Sequence, residues 1–345
     1  MNQISLSQTG FELANKRTRK RVFLEQMEQC TPWESLIALI EPHAPSGHTG
    51  RPPFAVDVLL RIHFMQQWFG LSDPAMEEAL HDTAIYREFA GLDTGMSRIP
   101  DETTILRFRR LIETHDLGKA MFAAINAKLT EAGFMLKVGT VVDATLIAAP
   151  SSTKNSTHSR DPEMRQTKKG NNYYHGMKAH IGADMASGLV HTVQTTAANS
   201  HDVTQAHALL HGEEEQVYAD SGYRGVTKRE EMLEQENQPE WHIAMMPSKR
   251  KQLDKSTALG AILDKLETAK AQIRAKVEHP FRVIKCQFGY RKTRYRGLVK
   301  NTVQICTLFA LSNLWRARHW LLLASPTMQP MNARRDQCAQ SVGSR

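Results

Sequence analysis

The chain has 345 residues, 41% of them hydrophobic, and a formal net charge of +8. This length and apolar content allow a full hydrophobic core and predict two domains. The four cysteines are widely separated and form no CxxC pair, which excludes a zinc ribbon and a disulfide scaffold and favours a reducing compartment. They are Cys30, Cys286, Cys306 and Cys338.

The apolar segments do not favour a membrane protein. No signal-peptide pattern opens the chain, and the longest apolar stretch near its end is interrupted by Arg316, Arg318 and His319. Such a stretch is too broken to span a bilayer. We therefore expect a cytoplasmic protein without a membrane partner.

The positive charge is concentrated in two places. Residues 249–300 contain fifteen Lys or Arg against four acids, and a second basic cluster occupies residues 16–21. Basic clusters of this kind are typical of proteins that bind the phosphate backbone of nucleic acids. A solvated basic surface is the alternative for either cluster taken alone.

Residues 1–135 have the pattern of an all-helical N-terminal domain. Apolar residues recur at spacings of three and four, and several of the predicted helices end at a glycine. A short helix at residues 100–113 would expose Arg107 and Arg110, as in a helix-turn-helix DNA-binding module. An ordinary helical bundle has the same signature, so both interpretations stay open.

From Lys137 the pattern changes to strands, and residues 136–323 predict a mixed α/β sheet with helical cover. Residues 152–172 are polar and predict a loop, and residues 324–345 predict a disordered tail. The predicted strands lie at 138–142, 173–184, 188–198, 216–220 and 241–248, and the predicted helices at 200–212, 227–237, 259–285 and 300–320.

One of these strands contains an acid in an apolar setting. Asp143 follows Val141 and Val142 directly, and Leu146 and Ile147 resume the apolar pattern. Asp is disfavoured in strands and costly to bury without a partner. It either caps a turn at the strand end or holds something cationic.

Two further acids carry ordinary explanations when each is taken alone. Asp220 belongs to an Asp-Ser-Gly turn that follows an apolar strand, and Glu278 lies on a basic helix where Lys and Arg would be its partners. If the first and fourth strands are neighbours, however, Asp143 and Asp220 come side by side. The later helix could then bring Glu278 to the same place.

Three converging carboxylates repel one another unless a cation neutralises them, which favours a hard divalent metal. Two Mg²⁺ ions held in this way can activate water and stabilise the leaving oxygen of a phosphodiester. Arg274 and Lys285 lie near Glu278 along the sequence and are suited to binding the flanking phosphates, although Pro280 interrupts the helix between them.

Many segments, in order and over nearly the whole length to about residue 320, resemble bacterial insertion-sequence transposases of the DDE class, in the IS-five family. They include "PWESLIALIEPH", "IPDETTILRFRRLIE", "VVDATLIAAPSSTKN", "RDPEMRQTKKGNNYYHGMKAHIGAD", "YADSGYRG" and "VEHPFRVIKCQFGYRKTRYRGL". The resemblance implies an RNase H-like catalytic core of the retroviral integrase type, with Asp143, Asp220 and Glu278 as catalytic and metal-binding residues.

The resemblance also implies the cofactor and the partners. The expected cofactor is two Mg²⁺ ions, which Mn²⁺ can replace. The expected reactions are cleavage of double-stranded DNA at the terminal inverted repeats and strand transfer into target DNA. A homodimer at the bacterial nucleoid would carry them out. The family signature of Tyr, Arg, Glu and Lys matches Arg274, Glu278 and Lys285, with Ala271 in place of the tyrosine. The residues expected to bind DNA are Arg274, Arg282, Lys285, Arg107 and Arg110.

Three other functions compete with this interpretation. A zinc hydrolase built on His175, His180, His191 and His201 is disfavoured, because these spacings do not place two imidazoles on one helix face and HExxH is absent. A helix-turn-helix regulator leaves the α/β half unexplained. A metal-dependent nuclease without strand transfer would share the three acids and differ only in its products.

Overall fold

The computed structural model describes residues 17–45, 47, 51–92, 97–156, 158–235 and 237–324. The basic cluster at residues 16–21 lies inside the described chain from residue 17, and the tail at 325–345 lies outside it. No helix in the described ranges combines the length and the apolar character needed to cross a bilayer.

The N-terminal part is helical, as the sequence predicts. Helix ends coincide with capping residues: the Asp101 carboxylate accepts a hydrogen bond from the Thr104 amide (2.9 Å), and Gly70 and Gly91 end two helices with positive φ. The helices are α1 (Arg19–Cys30), α2 (Trp33–Ile40), α3 (Val56–Phe69), α4 (Asp73–Asp82), α5 (Ala84–Ala90), α6 (Glu102–Thr114) and α7 (Leu117–Glu131).

The second part of the described chain forms a six-stranded mixed sheet. β3 pairs antiparallel with β1, β2 and β4, whereas β5 and then β6 are added parallel to β1. This arrangement confirms the mixed sheet and is that of an RNase H-like core. The strands are β1 (Gly139–Ala148), β2 (Arg165–Lys169), β3 (Asn172–Asp184), β4 (Val190–Ala197), β5 (Gln216–Ala219) and β6 (Glu240–Ile243).

Four further helices follow or interrupt the strands. One of them, α10, packs against β1 and β5 and continues through Pro280 into a π-helical turn at Val283–Gln287. The last helix is largely buried and packs against α7 and α1 as well as β4. They are α8 (Glu230–Leu233), α9 (Pro247–Lys251), α10 (Ala258–Arg282) and α11 (Leu298–Ala324).

Because α11 passes between the two parts, one apolar core joins them. Residues of that core come from α1 to α7, from the sheet and from α11. A buried amide pair reinforces the contact: Asn313 on α11 donates to Asn126 on α7 (2.8 Å) and to the Val190 carbonyl at the start of β4 (2.7 Å). The sheet is therefore packed against the helices through shared apolar surface.

Several predicted elements are wrong or too long. The strand predicted at 241–248 ends at Ile243, and α9 begins at Pro247; the helix predicted at 227–237 is reduced to α8. The helix predicted at residues 200–212 is replaced by two short 3-10 turns, Asp202–Gln205 and His207–Leu209. Lys178 binds the Ser200 carbonyl (2.7 Å) and the Asp202 carboxylate (2.9 Å), which ties this segment to β3. The loop predicted at 152–172 contains β2, whose exposed polar residues gave no apolar alternation.

Candidate active site

Asp143 and Asp220 lie side by side on neighbouring strands. The parallel register between β1 and β5 pairs Thr140 with Val217 and Val141 with Tyr218. Two residues further along the same register, Asp143 comes level with Asp220, where β5 ends. The first and fourth predicted strands, which are β1 and β5 of the structure, are therefore neighbours.

Glu278 approaches these two acids from α10, which packs across both strands. The negative charges of Asp220 and Glu278 both act on Asp143, so the three carboxylates lie within electrostatic reach of one another. Glu278 is exposed, whereas Asp143 and Asp220 are partly buried. The three residues form an open acidic site on the sheet, and we call them the acidic cluster.

The environment of Asp143 opposes its ionisation. Burial raises the pKa of Asp143 to about 7, and the negative charges of Asp220 and Glu278 act in the same direction. The hydrogen bond from the Ala144 amide (2.7 Å) and the charge of Arg274 oppose this increase. The hydrogen bond from Ala144 and the charge of Arg274 therefore only partly compensate the negative charge around Asp143.

The acidic cluster fits a divalent metal on the chemistry of its donors. In the described part of the chain, none of the three carboxylates forms an ion pair with a Lys or Arg. Asp220 accepts one hydrogen bond, from the Gly222 amide (2.8 Å), and its remaining lone pairs are available. Carboxylate oxygens with free lone pairs and unbalanced charge are ligands that Mg²⁺ and Mn²⁺ prefer.

Sequence reasoning missed Tyr223, which lies under the cluster. This side chain is fully buried, and its hydroxyl has no hydrogen-bond partner among the described residues. Burial, followed by the charges of Asp202, Asp143 and Asp220, raises the pKa of Tyr223. The tyrosine follows the Asp-Ser-Gly turn closely, and this proximity was the only signal for it in the sequence.

The π-helical turn brings Lys285 to β1. The Lys285 ammonium donates to the Thr145 hydroxyl (2.6 Å) and to the Leu146 carbonyl (2.8 Å), close to Asp143 along the strand. The pKa of Lys285 is lowered by burial and by the positive charge of Lys169, and the negative charge of Glu278 opposes this shift. The structure thus places this lysine at the edge of the acidic cluster, attached to the strand that carries Asp143.

The other residues expected to bind DNA fall into two groups. The positive charge of Arg274 favours the ionised forms of Asp143 and Tyr223, and opposes the increase in their pKa values. The buried Nε atom of Arg274 has no hydrogen-bond partner in the described chain. Arg282, Arg107 and Arg110 are exposed. Whether these residues contact DNA stays a prediction.

A second group of possible metal ligands lies near the starts of β1 and β5, on β4 and in the loop before β5. Ligand atoms of His191, His211 and Glu214 all lie within 4.8 Å of one another. The buried Glu214 carboxylate already accepts hydrogen bonds from the amides of His211 (2.6 Å) and Gly212 (2.8 Å) and from the Thr140 hydroxyl (3.3 Å). We call His191, His211 and Glu214 the histidine cluster.

The proton positions in the histidine cluster favour a network without metal. His211 Nδ1 accepts a hydrogen bond from the Glu213 amide (3.2 Å), so the ring proton lies on Nε2, which faces Glu214 at 3.4 Å. His191 Nε2 contacts the Thr140 hydroxyl (3.0 Å). His191 and Glu214 therefore have hydrogen-bond partners at the cluster, whereas the buried His211 Nε2 approaches Glu214 without forming a hydrogen bond.

An RNase H-like sheet that carries converging carboxylates is typical of enzymes that cut and join nucleic acids. Two family models match this chain: the "Transposase DDE domain" over residues 135–314 and the "Transposase domain (DUF772)" over residues 11–111. The chain belongs to the DDE transposases of insertion sequences. The assignment to the IS-five family stays a prediction.

Proposed function

We propose that this transposase carries out Mg²⁺-dependent cleavage at the terminal inverted repeats of an insertion sequence and strand transfer into target DNA. The observation that carries the proposal is the convergence of Asp143, Asp220 and Glu278, without ion-pair partners, on one site of the sheet. The family membership supports the DNA substrate and the use of a divalent metal.

Asp143 and Asp220 would hold two Mg²⁺ ions between them, and Glu278 would complete their coordination. When bound there, Mg²⁺ or Mn²⁺ would make the attacking water or hydroxyl easier to deprotonate and would stabilise the negative charge that develops on the leaving oxygen. The Asp143 carboxyl has to lose its proton to act as a ligand, so acidification competes with metal binding.

The chain positions the DNA for two successive in-line displacements. Water attacks the phosphodiester at the element end, the P–O bond breaks, and the element keeps a 3′-hydroxyl. That hydroxyl attacks a target phosphodiester, and the target 3′ oxygen leaves. No protein side chain acts as nucleophile; Arg274, Arg282 and Lys285 bind the phosphates on either side of the reacting bond.

We assign recognition of the inverted repeats to residues 1–135, catalysis to residues 136–323 and no catalytic part to residues 324–345. Arg107 and Arg110 lie on the exposed face of α6, where they are able to contact DNA. Pairing two element ends requires two active sites, so the proposal includes a homodimer on DNA, at the nucleoid. Membership of the IS-five family is part of the same proposal.

The experiment is an end-cleavage and joining assay. A labelled duplex that carries the candidate element end is incubated with a plasmid target, Mg²⁺ and wild type, D143N, D220N or E278Q. The exposed acid Glu240 supplies the matched control E240Q, and EDTA supplies the metal-free control.

Three outcomes are distinct. We expect nicked and joined DNA from wild type and E240Q, and neither product from the three cluster variants or with EDTA. Cleavage without joining would identify a metal-dependent nuclease instead. Activity in the three cluster variants equal to wild type would refute the acidic cluster as the catalytic site.

A further inference from the structure

β2 and the first residues of β3 form a ribbon that extends beyond the rest of the sheet. β1 pairs with β3 from Gly176 onward and β4 from Met177 onward. Within the described chain, residues 172–174 are paired with β2 alone. The ribbon turns at Gly170, which has a φ of +62° and open space around its Cα. We call residues 165–176 the basic ribbon.

The composition of the basic ribbon is unusual for a surface hairpin. It contains three cations, Arg165, Lys168 and Lys169, and no acid. All three are exposed, and the Tyr173 ring is 69% exposed. The flat face of this ring is therefore available for stacking.

Lys168 and Tyr173 form one surface on the ribbon. They are directly opposite in the β2–β3 register, and the Lys168 ammonium lies 5.7 Å from the Tyr173 ring centroid. Side chains alternate along a strand, so Tyr173 projects from the same face of β3 as Ile181. Ile181 is the residue opposite Asp143 in the β1–β3 register. The tyrosine and the acidic cluster therefore share a face of the sheet.

The positive charge at the tip of the ribbon also acts on Lys285, which lies at the edge of the acidic cluster. After burial, the positive charge of Lys169 is the next cause of the lowered pKa of Lys285. Lys285 in turn contacts Thr145 (2.6 Å), two residues from Asp143 on β1. Lys169 and Lys285 thus place positive charge between the ribbon and the carboxylates.

We propose that the basic ribbon holds the DNA end beside the acidic cluster, with Lys168 and Lys169 on the phosphates and Tyr173 stacked on an unpaired base. The inference rests on the proposed function, because it presupposes a DNA end at the carboxylates. Phosphates require cations, and every base offers a flat face to an aromatic ring, so this surface fits a frayed end without reading its sequence.

The test is DNA binding by the full chain, without a tag and in EDTA, so that no cleavage occurs. The probes are a labelled duplex and the same duplex with mismatches that unpair one end, where 2-aminopurine reports stacking. The variants are Y173A, Y173F and the double variant K168Q/K169Q. The matched control K228Q/K265Q removes two exposed lysines that lie outside the basic ribbon and outside residues 1–135.

We expect Y173A to weaken binding of the frayed duplex about tenfold, and to leave the paired duplex unchanged. Y173F should bind as wild type does and should preserve the 2-aminopurine signal. K168Q/K169Q should reduce the slope of log affinity against log salt by about 1.8 on both probes, since each lost phosphate contact removes about 0.9. The control should keep the wild-type slope.

Other results would overturn the inference. Equal binding of the frayed duplex by Y173A and wild type removes the stacking role, and an unchanged salt slope in K168Q/K169Q removes the phosphate contacts. Both failures leave the proposed function intact if D143N still abolishes cleavage. Wild-type protein that binds neither probe would instead contradict the proposed function itself.

Discussion

The acidic cluster and the histidine cluster belong to the same sheet region and differ in how well their charges are compensated. Glu214 is buried but accepts three hydrogen bonds from its surroundings. Asp143 keeps a pKa of about 7 because burial and two neighbouring carboxylates are only partly offset. Possible ligands are present in both places, but the carboxylate of the histidine cluster is held by three hydrogen bonds, whereas Asp143 is held by one. This difference is the reason for proposing the metal site at the acidic cluster.

The largest effect should come from breaking the acidic cluster. We expect D143N, D220N and E278Q each to lower the rate of end cleavage at least about a thousandfold, because the remaining acids no longer supply the ligands and charge for two metals. Rates in single-turnover conditions measure this effect. E214Q should retain cleavage, provided that it is assayed at a temperature where it remains folded.

Stability should respond in the opposite way. E214A removes the buried acceptor of two backbone amides and one hydroxyl, so we expect it to lose about 3 kcal/mol of unfolding free energy. E278A removes an exposed side chain and should change that free energy by no more than about 0.5 kcal/mol. Urea denaturation followed by circular dichroism compares the two, and equal losses would contradict the distinction.

Asp143 should reduce stability when it is ionised. Its folded-state pKa of about 7 lies above the ordinary value of 3.8, so the folded chain binds more protons and loses stability as the pH rises between these values. Without metal, D143N should therefore be more stable than wild type at about pH 8, by at most about 4 kcal/mol. At about pH 3, where both states are protonated, the advantage should vanish. A variant less stable than wild type at the higher pH would refute this.

The smallest effect is the response of stability to metal. At ten times its dissociation constant, Mg²⁺ should stabilise the folded wild type by about 1.4 kcal/mol. The same addition should leave D220N unchanged. Because protons compete for Asp143, the affinity should be about tenfold weaker at about pH 6 than at about pH 8. Thermal unfolding with and without Mg²⁺ at both pH values measures these shifts.

Much of the sheet could be predicted because its strands are apolar and punctuated by turns. β1, β3, β4 and β5 appear where the pattern places them, and the interrupted strand around Asp143 correctly indicates an unusual acid. The helix at residues 200–212 failed because Lys178 and the buried Ala206 and Leu209 impose a tighter path than helix propensity favours. Such contacts are distant in sequence and leave no local signal.

The site itself was harder to predict in its details. The π-helical turn at Val283–Gln287, which allows Lys285 to reach Thr145, has no simple pattern. Tyr223 was missed because its burial beside Asp143 and Asp220 depends on the tertiary fold. The β2 part of the basic ribbon was predicted to be a loop because its residues are polar; β2 is stabilised by pairing with β3 rather than by burial.

The most direct test of the central claim is a Mn²⁺ titration followed by the electron paramagnetic resonance of the free ion. Wild type, D143N, D220N, E278Q and E214Q are compared without DNA. The account predicts that each of the three cluster variants binds Mn²⁺ more weakly than wild type, and that E214Q binds as wild type does. Unchanged binding in D143N and D220N, or loss of binding in E214Q, would contradict it.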